Sequence, residues 1–182
     1  MTTKAGAIIE DLYSLPDNAK AEIVNGEIIL MPPTGDMPNR VGGSVYISLR
    51  QHEGKTPGRA YTDNVGFTVD LPNRGSFSPD VAWYIGPPAG MRFLEGAPVF
   101  AVEVRSENDY GAYAENALAM KRADYFSAGT LVVWDVDLLS PDIIKSYDAN
   151  NPDNPRLFRR GDIADAEPAV PGWRMSTIEL FS

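Results

Sequence analysis

The chain contains no cysteine and a single histidine, His52, among its 182 residues. The absence of cysteine excludes disulfides, zinc–thiolate sites and cysteine nucleophiles. A multi-histidine metal site needs more than one imidazole, and a Ser-His-Asp triad would depend on His52 alone. Catalytic or metal chemistry in this protein is therefore expected to come from other side chains, chiefly carboxylates.

Basic residues are also scarce, with 16 Lys and Arg against 25 Asp and Glu and a formal net charge of −9. Nonspecific binding to a phosphate backbone requires a basic surface, so the overall charge argues against that mode of binding. A local basic cleft or a cation-dependent nucleic-acid site remains compatible with it, and the simplest consequence of the charge is solubility. Several scattered basic residues are interpreted as solvated surface charges: Arg40, Arg50, Lys55, Arg59, Arg74, Arg92 and Arg122.

Long hydrophobic runs are missing as well, since no segment approaches the roughly 18 apolar residues of a membrane-spanning helix. The first residues, MTTKAGAIIEDLYSLP, lack the apolar core and cleavage pattern of a secretory signal. We therefore expect a cytoplasmic protein without a membrane segment. No repeat or linker divides the chain, and its length suits one domain, so residues 1–182 are predicted to form a single domain.

The sequence is rich in short apolar segments separated by 16 glycines and 15 prolines. Asn25-Gly26 between two strand-like segments predicts a tight hairpin with Glu22 opposite Ile29. Further strands are predicted over residues 61–71, 77–85, 99–104, 131–136, 143–147 and 156–158, with a turn over 73–76. Helices are predicted over residues 6–13, 38–52 and 111–128. The C-terminal segment is predicted to pack on the core. This order predicts an α/β (α+β) domain with a mixed sheet flanked by helices.

Glu103 is the most informative polar residue because its neighbours in the segment 99–104, VFAVEV, are apolar. A buried ionised carboxylate is costly unless it is paired, protonated or bound to a metal. Arg105 lies two positions further on and shares the same strand face, so a Glu103–Arg105 ion pair is the structural alternative to a metal site.

Two further carboxylates lie on predicted strands. Asp80 follows Pro79, which marks a strand start, and alternation places Asp80 on the face away from Val81. Glu22 lies on the first hairpin. Taken singly, Asp80 is typical of a cap or turn residue, and Glu22 of an exposed strand charge.

Lys121 lies on the apolar face of the second long helix. The spacing of 4, 3, 4 and 3 traces one face through Ala114, Leu118, Lys121, Tyr125 and Ala128. The pattern predicts that Lys121 faces the sheet, the alternative being that its stem packs while its ammonium group reaches water.

One chemistry explains these residues together. Carboxylate oxygens suit Mg²⁺ or Mn²⁺, and a metal held by them polarises a phosphodiester and lowers the pKa of a bound water. A neighbouring lysine can orient or deprotonate that water, or stabilise developing charge.

The same residues carry a family resemblance. Pro79-Asp80 followed by Glu103-Val104-Arg105 resembles the PD-(D/E)XK nuclease signature, and the chain is similar to the Uma-type family of restriction endonucleases from about residue 10 to residue 147. The matching segments are 22–27, 31–35, 78–82, 102–106 and 134–137, together with Lys121, Tyr125 and Gly129.

The resemblance implies a restriction-endonuclease-like fold and metal-dependent cleavage of DNA. It implies that Asp80 and Glu103 bind Mg²⁺ or Mn²⁺, with the Val104 carbonyl as a third ligand. Glu22 matches the upstream acidic residue of the family, and Lys121 matches a lysine that in this family moves to the helix after the motif.

The chain also departs from the family pattern. Arg105 replaces the motif lysine, and because arginine stays protonated it can stabilise charge but cannot act as a base. Ser106-Glu107 stands where the family usually has Ser-Pro. The early histidine of the first long helix is missing, since His52 comes too late to replace it.

Three functions remain open at this point. The leading hypothesis is a metal-dependent DNA endonuclease with Asp80, Glu103, Lys121, Glu22 and Arg105 as catalytic residues, and by analogy with one-site nucleases we expect a symmetric homodimer. The second is a catalytically silent nuclease-like scaffold used for binding or assembly. The third is a metal-dependent hydrolase with a substrate other than DNA.

Overall fold

The computed structural model describes residues 6–16 and 19–182, so the first five residues of the N-terminal segment lie outside the described residues. The helices are α1 (Ile9–Tyr13), α2 (Asp36–His52), α3 (Ala112–Ser127) and a C-terminal 3₁₀ helix (Thr177–Phe181). The strands are β1 (Ala21–Val24), β2 (Glu27–Leu30), β3 (Arg59–Tyr61), β4 (Phe67–Leu71), β5 (Arg74–Phe77), β6 (Val81–Tyr84), β7 (Leu94–Glu95), β8 (Phe100–Val104), β9 (Val132–Val136), β10 (Ile144–Asp148), β11 (Asn151–Phe158), β12 (Ile163–Asp165) and β13 (Arg174–Ser176).

The larger mixed sheet has the strand order β11-β10-β9-β8-β6-β3. Only β8 and β9 pair in parallel within it, and α3 forms the crossover that a parallel pair requires. Strand β6 runs antiparallel to β8, with Val81 opposite Val102. As a result, the start of β6 lies beside the end of β8.

The smaller mixed sheet has the order β2-β1-β5-β4-β7, and β12 and β13 form a separate two-stranded ladder. The predicted first hairpin is confirmed, because Glu22 pairs with Ile29 and Val24 with Glu27. Asn25 and Gly26 have φ values of 50° and 73°, which are the positive values that a two-residue turn of this kind requires. The hairpin fixes Glu22 on the strand that joins β5.

Four predicted elements differ from the observed ones. The strand predicted over 61–71 is divided between β3 and β4, which belong to different sheets, and the turn predicted over 73–76 is strand β5. The strand predicted over 77–85 is interrupted at residues 78–80, where Pro79 lacks the N–H that a sheet ladder uses. This interruption places Asp80 just before β6. The first helix covers only Ile9–Tyr13 of the predicted 6–13.

Two apolar clusters cover the two faces of the larger sheet. On one face, Trp83, Phe100 and Trp134 pack with Val45 and Leu49 of α2, which follow the predicted helical spacing. On the other face, a second cluster lies between the two sheets and α3; it contains Phe67, Phe77, Ala82, Ala101, Tyr125 and Val133. Because both faces are covered, the apolar residues of β6, β8 and β9 are buried, as the apolar segment 99–104 predicts, and Glu103 is partly exposed.

The C-terminal segment packs against α2 and the first cluster. Trp173 and Leu180 are buried, and the indole N–H of Trp173 donates to Ser48 Oγ at 3.1 Å. His52 Nε2 lies 3.0 Å from the Pro171 carbonyl oxygen, so the histidine has a structural contact. The prediction of a packed tail holds for these residues, whereas Ile178 is exposed. In the described ranges, no helix has the length and apolar character needed to span a membrane.

Candidate active site

The end of β8 and the start of β6 bring Asp80, Glu103 and Val104 to one edge of the larger sheet. The Asp80 N–H donates to the Val102 carbonyl at 3.1 Å, and the Val104 N–H donates to Asp80 Oδ2 at 2.8 Å. In an antiparallel pair, the N–H and C=O of one residue point to the same neighbouring strand, so the Val104 carbonyl is also directed to the Asp80 side. The three residues expected to hold a metal are therefore neighbours.

Lys121 lies between two carboxylates that come from different sheets. Its Nζ is 2.8 Å from Glu103 Oε1 and 2.9 Å from Glu22 Oε1. The Tyr125 hydroxyl, one helical turn further on, donates to the same Glu103 oxygen at 2.6 Å. The lysine side chain is only 15% exposed, so it faces the sheet as its spacing predicts and does not reach into solvent. Glu103 is paired with Lys121, and not with Arg105.

Glu22 is fully enclosed by hydrogen-bond donors. Besides Lys121, it accepts from Arg74 Nη1 at 2.7 Å and from the Ser78 N–H at 2.8 Å. Arg74 is itself buried, and its Nε donates to Asp124 Oδ2 of α3 at 2.8 Å. The interpretation of Glu22 as an exposed strand charge is wrong, and so is that of Arg74 as a solvated surface charge.

Glu22 and Glu103 share the Lys121 ammonium, yet their pKa values move in opposite directions. Burial acts to raise both, but at Glu22 the charges of Lys121 and Arg74 outweigh it and hold the pKa below its usual value. At Glu103, burial raises the pKa against the attraction of Lys121, and the negative charges of Asp80 and Glu22 add to the rise. The pKa of Lys121 is raised in spite of its burial, because Glu103 and Glu22 stabilise the ammonium form.

A second lysine, Lys20, also reaches this site. Its Nζ is 2.9 Å from Asp80 Oδ1 and 2.5 Å from Asp63 Oδ1, and its side chain is 14% exposed. Sequence reasoning missed Lys20 and Asp63. Strand alternation offers one signal for the lysine, because a residue two positions before Glu22 lies on the same face of the chain.

Arg105 is bound to groups other than the predicted metal ligands. Its Nε and Nη2 each donate to Asp135 of β9 at 2.7 Å, and its Nη1 and Nη2 contact Glu115 of α3. These ion pairs outweigh burial and raise its pKa further, so the guanidinium stays charged. The buried Arg105 side chain therefore connects the end of β8 with β9 and with the first turn of α3.

These groups line a common cleft of about 390 Å³. Its polar lining includes Lys20, Asp80, Glu103, Arg105 and Lys121, and its apolar lining includes Met31, Pro32, Tyr113, Ala117 and Leu118. Tyr113 is 90% exposed at this cleft, so its ring is accessible from solvent. A smaller cavity of about 100 Å³ shares Asp80 and Thr34 with the cleft and is also lined by Asp63.

The donor set of the cleft suits a hard divalent cation. Among residues 6–16 and 19–182, no three or more His, Cys, Asp or Glu side chains are arranged as a ready metal cage. Mg²⁺ does not require such a cage, because it keeps several waters and takes one or two carboxylates together with substrate phosphates. Burial raises the pKa of Glu103, and the negative charges of Asp80 and Glu22 add to the rise. A divalent cation would neutralise that negative charge. Asp80, Glu103 and the Val104 carbonyl therefore fit Mg²⁺ or Mn²⁺.

Comparison with known proteins gives a consistent family and fold. A family model named Uma2, described as putative restriction endonuclease, matches residues 9–178. A search of curated proteins finds no match. Among solved structures, the chain is similar to a protein of Anabaena variabilis ATCC 29413 described as a putative nuclease belonging to DUF820, with a TM-score of 0.72 and 16% identity over 96% of this chain and 97% of that chain. At this identity, the likeness shows a shared fold.

Proposed function

The chain belongs to the Uma2 family of restriction-endonuclease-like proteins, and from that membership we propose that it is a metal-dependent nuclease that hydrolyses DNA phosphodiester bonds. The observation that carries the proposal is the convergence of Asp80, Glu103 and Lys121 on one cleft, with Glu22 in contact with Lys121. Residues from three separate parts of the chain meet there in an arrangement that suits phosphodiester chemistry.

In the proposed reaction, Asp80, Glu103 and the Val104 carbonyl hold Mg²⁺ or Mn²⁺. The bound metal would supply Lewis-acid activation of the phosphodiester and of a water molecule. Glu22 positions Lys121 at the cleft, because its Oε1 contacts the Lys121 ammonium while its Oε2 is held by Arg74. Tyr125 orients the Glu103 carboxylate through its short hydrogen bond.

Lys121 acts in this scheme as a cation. Its raised pKa keeps the ammonium protonated, which suits it to orient a water molecule and to stabilise negative charge on the phosphate. Arg105, the other residue assigned to catalysis from sequence, contributes by bracing the end of β8 through Asp135 and Glu115. The position of Glu103 and Val104 depends on that brace.

The direct test is cleavage of supercoiled and linear DNA in the presence of Mg²⁺ or Mn²⁺ by the wild type and by Asp80→Asn. We expect cleavage by the wild type and a loss of at least about 100-fold in the variant, because a metal ligand is removed. Asp70→Asn, an exposed position with the same chemical change, is the matched control and should retain wild-type activity. Cleavage that persists in EDTA, or equally in Asp80→Asn, would contradict the proposal.

A catalytically silent scaffold is the second candidate function. One observation favours it: Asp80, Glu103 and Glu22 all have cationic partners within the protein, so the same carboxylates can serve as structural ion pairs. Titration of Mn²⁺ into the folded wild type and Asp80→Ala separates the two cases. Binding that is lost in the variant supports the nuclease, and absence of binding in both supports the scaffold.

Three finer expectations belong to the same proposal. DNA is the proposed substrate, and hydrolysis of small phosphoesters without DNA cleavage would favour a different hydrolase. A symmetric homodimer is proposed by analogy with nucleases that cut both strands, and light scattering of the purified protein tests it. The cytoplasm is the proposed location, which a fluorescent fusion tests.

A further inference from the structure

Lys20 is a charged residue of the cleft to which the proposed reaction gives no role. It directly precedes β1, and its carbonyl accepts a hydrogen bond from the Met31 N–H at 2.9 Å, so its backbone is fixed beside the first hairpin. From there the side chain extends into the cleft and is largely buried. A lysine held in this way by both backbone and side chain has a defined position.

The ammonium group of Lys20 lies among three carboxylates from three parts of the chain. Asp63 precedes β4, Asp80 precedes β6 and Glu103 lies in β8. The Lys20 Nζ forms ion pairs with Asp80 Oδ1 at 2.9 Å and with Asp63 Oδ1 at 2.5 Å, and Glu103 lines the same cleft. Lys20 is therefore a cation at the place where negative charge of the cleft is concentrated.

Both oxygens of Asp80 already have donors. Oδ1 contacts Lys20 Nζ, and Oδ2 accepts the Val104 N–H. A divalent cation that binds Asp80 through Oδ1 therefore competes with the Lys20 ammonium, because the two positive charges repel each other at that oxygen. Asp63 offers the lysine an alternative partner at 2.5 Å, so the ammonium can leave Asp80 without losing all of its ion pairs.

We propose that Lys20 is the internal counter-cation of the metal site: it holds Asp80 when no divalent cation is bound and passes to Asp63 when one binds. The inference rests on the proposed function, because it concerns the same site. It goes further in assigning Lys20 as the residue that sets how tightly the site binds a divalent cation. Competition between the ammonium and the metal lowers metal affinity, and removal of the lysine raises it.

The first test measures Mn²⁺ affinity by calorimetry in the wild type, Lys20→Met and Lys55→Met. Lys55 is exposed beyond the end of α2 and outside the cleft lining, so its variant makes the same change in net charge at a matched residue type. We expect Lys20→Met to bind Mn²⁺ on the order of tenfold more tightly, as expected when a close competing charge is removed. Lys55→Met should stay within about twofold of the wild type, because salt screens distant surface charges. Equal or weaker binding by Lys20→Met overturns the proposal.

A second test does not depend on the folding of the methionine variant. The lysines of the wild type are reductively dimethylated with ¹³C-formaldehyde, which retains their charge, and Lys20→Arg identifies the Lys20 signal by its absence. We expect this signal to shift on titration with Mg²⁺, since the ammonium changes partner, while the signal of the exposed Lys55 does not. An unchanged Lys20 signal at Mg²⁺ saturation contradicts the exchange.

The two proposals fail in different ways. If the wild type cleaves no DNA but Lys20→Met binds Mn²⁺ more tightly than the wild type, the nuclease is wrong and the counter-cation stands. If DNA is cleaved but Lys20→Met binds no more tightly, the counter-cation is wrong and the nuclease stands. If neither protein binds Mn²⁺, the metal site and the inference are both wrong.

Discussion

Glu22 and Glu103 show how one residue type acquires two behaviours from its surroundings. Both are glutamates in contact with Lys121, but Glu22 has the further cation Arg74, while Glu103 has the carboxylate Asp80 as a neighbour. The pKa of Glu22 is lowered and that of Glu103 is raised. Ionised Glu22 therefore stabilises the folded state, whereas ionised Glu103 destabilises it.

This difference predicts opposite stability effects for two matched substitutions. Stability from Glu22 is present above the ordinary pKa of 4.5 and is lost as the pH falls through its lower folded value. Stability from Glu103 is present below 4.5 and is lost as the pH rises through its higher folded value. At pH 7, we expect Glu22→Gln to lower the free energy of unfolding by about 3–5 kcal/mol, since buried cations lose their partner.

Glu103→Gln should instead raise the free energy of unfolding at pH 7 by roughly 0.5–2 kcal/mol, the range typical of a single stabilising substitution. The gain should shrink toward zero below pH 4.5, where the wild-type carboxyl is protonated. Urea unfolding of both variants between pH 4 and 8 measures these differences. A Glu103→Gln protein that is less stable than the wild type at pH 7 would show that ionised Glu103 is a stabilising partner of Lys121.

At the scale of elements, short-range patterns predicted the parts of the site that a single helix or strand determines. The hairpin register that positions Glu22 follows from Asn25-Gly26, and the inward face of α3 follows from the spacing around Lys121. Asp80 and Glu103 were identified from a polar residue in an apolar strand and from the family pattern. Each of these signals can be identified within one predicted element or in a motif with a fixed order along the chain.

The residues of the site that were not predicted from the sequence have partners that are distant along the chain. Lys20 contacts Asp63 and Asp80, which are 43 and 60 positions away, and Arg74 contacts Asp124, 50 positions away. Charge alone does not identify such partners, because many acidic residues are available to each basic one. The break between β3 and β4 was missed for a related reason: the two strands join different sheets, and sheet membership is a long-range property.

Arg105 connects three elements, and its replacement tests whether it is a brace or a catalytic group. Arg105→Lys restores the lysine of the family motif but loses the bidentate hydrogen bonds to the Asp135 carboxylate. We expect a loss of about 1.5–3 kcal/mol in the free energy of unfolding, the value of a buried charged hydrogen bond, and no increase in DNA cleavage. Arg156→Lys, which changes an exposed pair with Asp165, is the control and should cost less than about 1 kcal/mol. A gain in cleavage by Arg105→Lys would assign a catalytic role to position 105.

At the scale of the whole molecule, the C-terminal segment forms part of the core that supports the site. Trp173, Met175 and Leu180 complete the cluster that also holds α2 against the sheet, so the last residues belong to the same core as β6 and β8. The family match through residue 178 agrees with this arrangement. The site is therefore supported by the core from one face and by the smaller sheet and α3 from the other.

If the chain acts on DNA as proposed, its net charge of −9 predicts that salt has little effect on DNA binding. Within the described residues, the basic side chains of the cleft lining are Lys20, Arg105 and Lys121, and each is already paired with carboxylates. Few counterions would be released from DNA, so in the proposed function the divalent cation would supply most of the attraction to phosphate. Since each neutralised phosphate contributes about −0.9 to the slope of log K against log salt, we expect a slope shallower than about −3.

Fluorescence anisotropy with labelled DNA in Ca²⁺, which usually allows binding without cleavage, measures the slope between about 50 and 200 mM salt. Binding in EDTA should be much weaker than in Ca²⁺, because the cleft then presents its carboxylates to the phosphates. A steep slope, or equal binding in EDTA, would locate the DNA contacts on a basic surface away from the cleft. Either result would mean that DNA binding does not depend on the carboxylates of the cleft. The acidic net charge would then contribute to solubility alone.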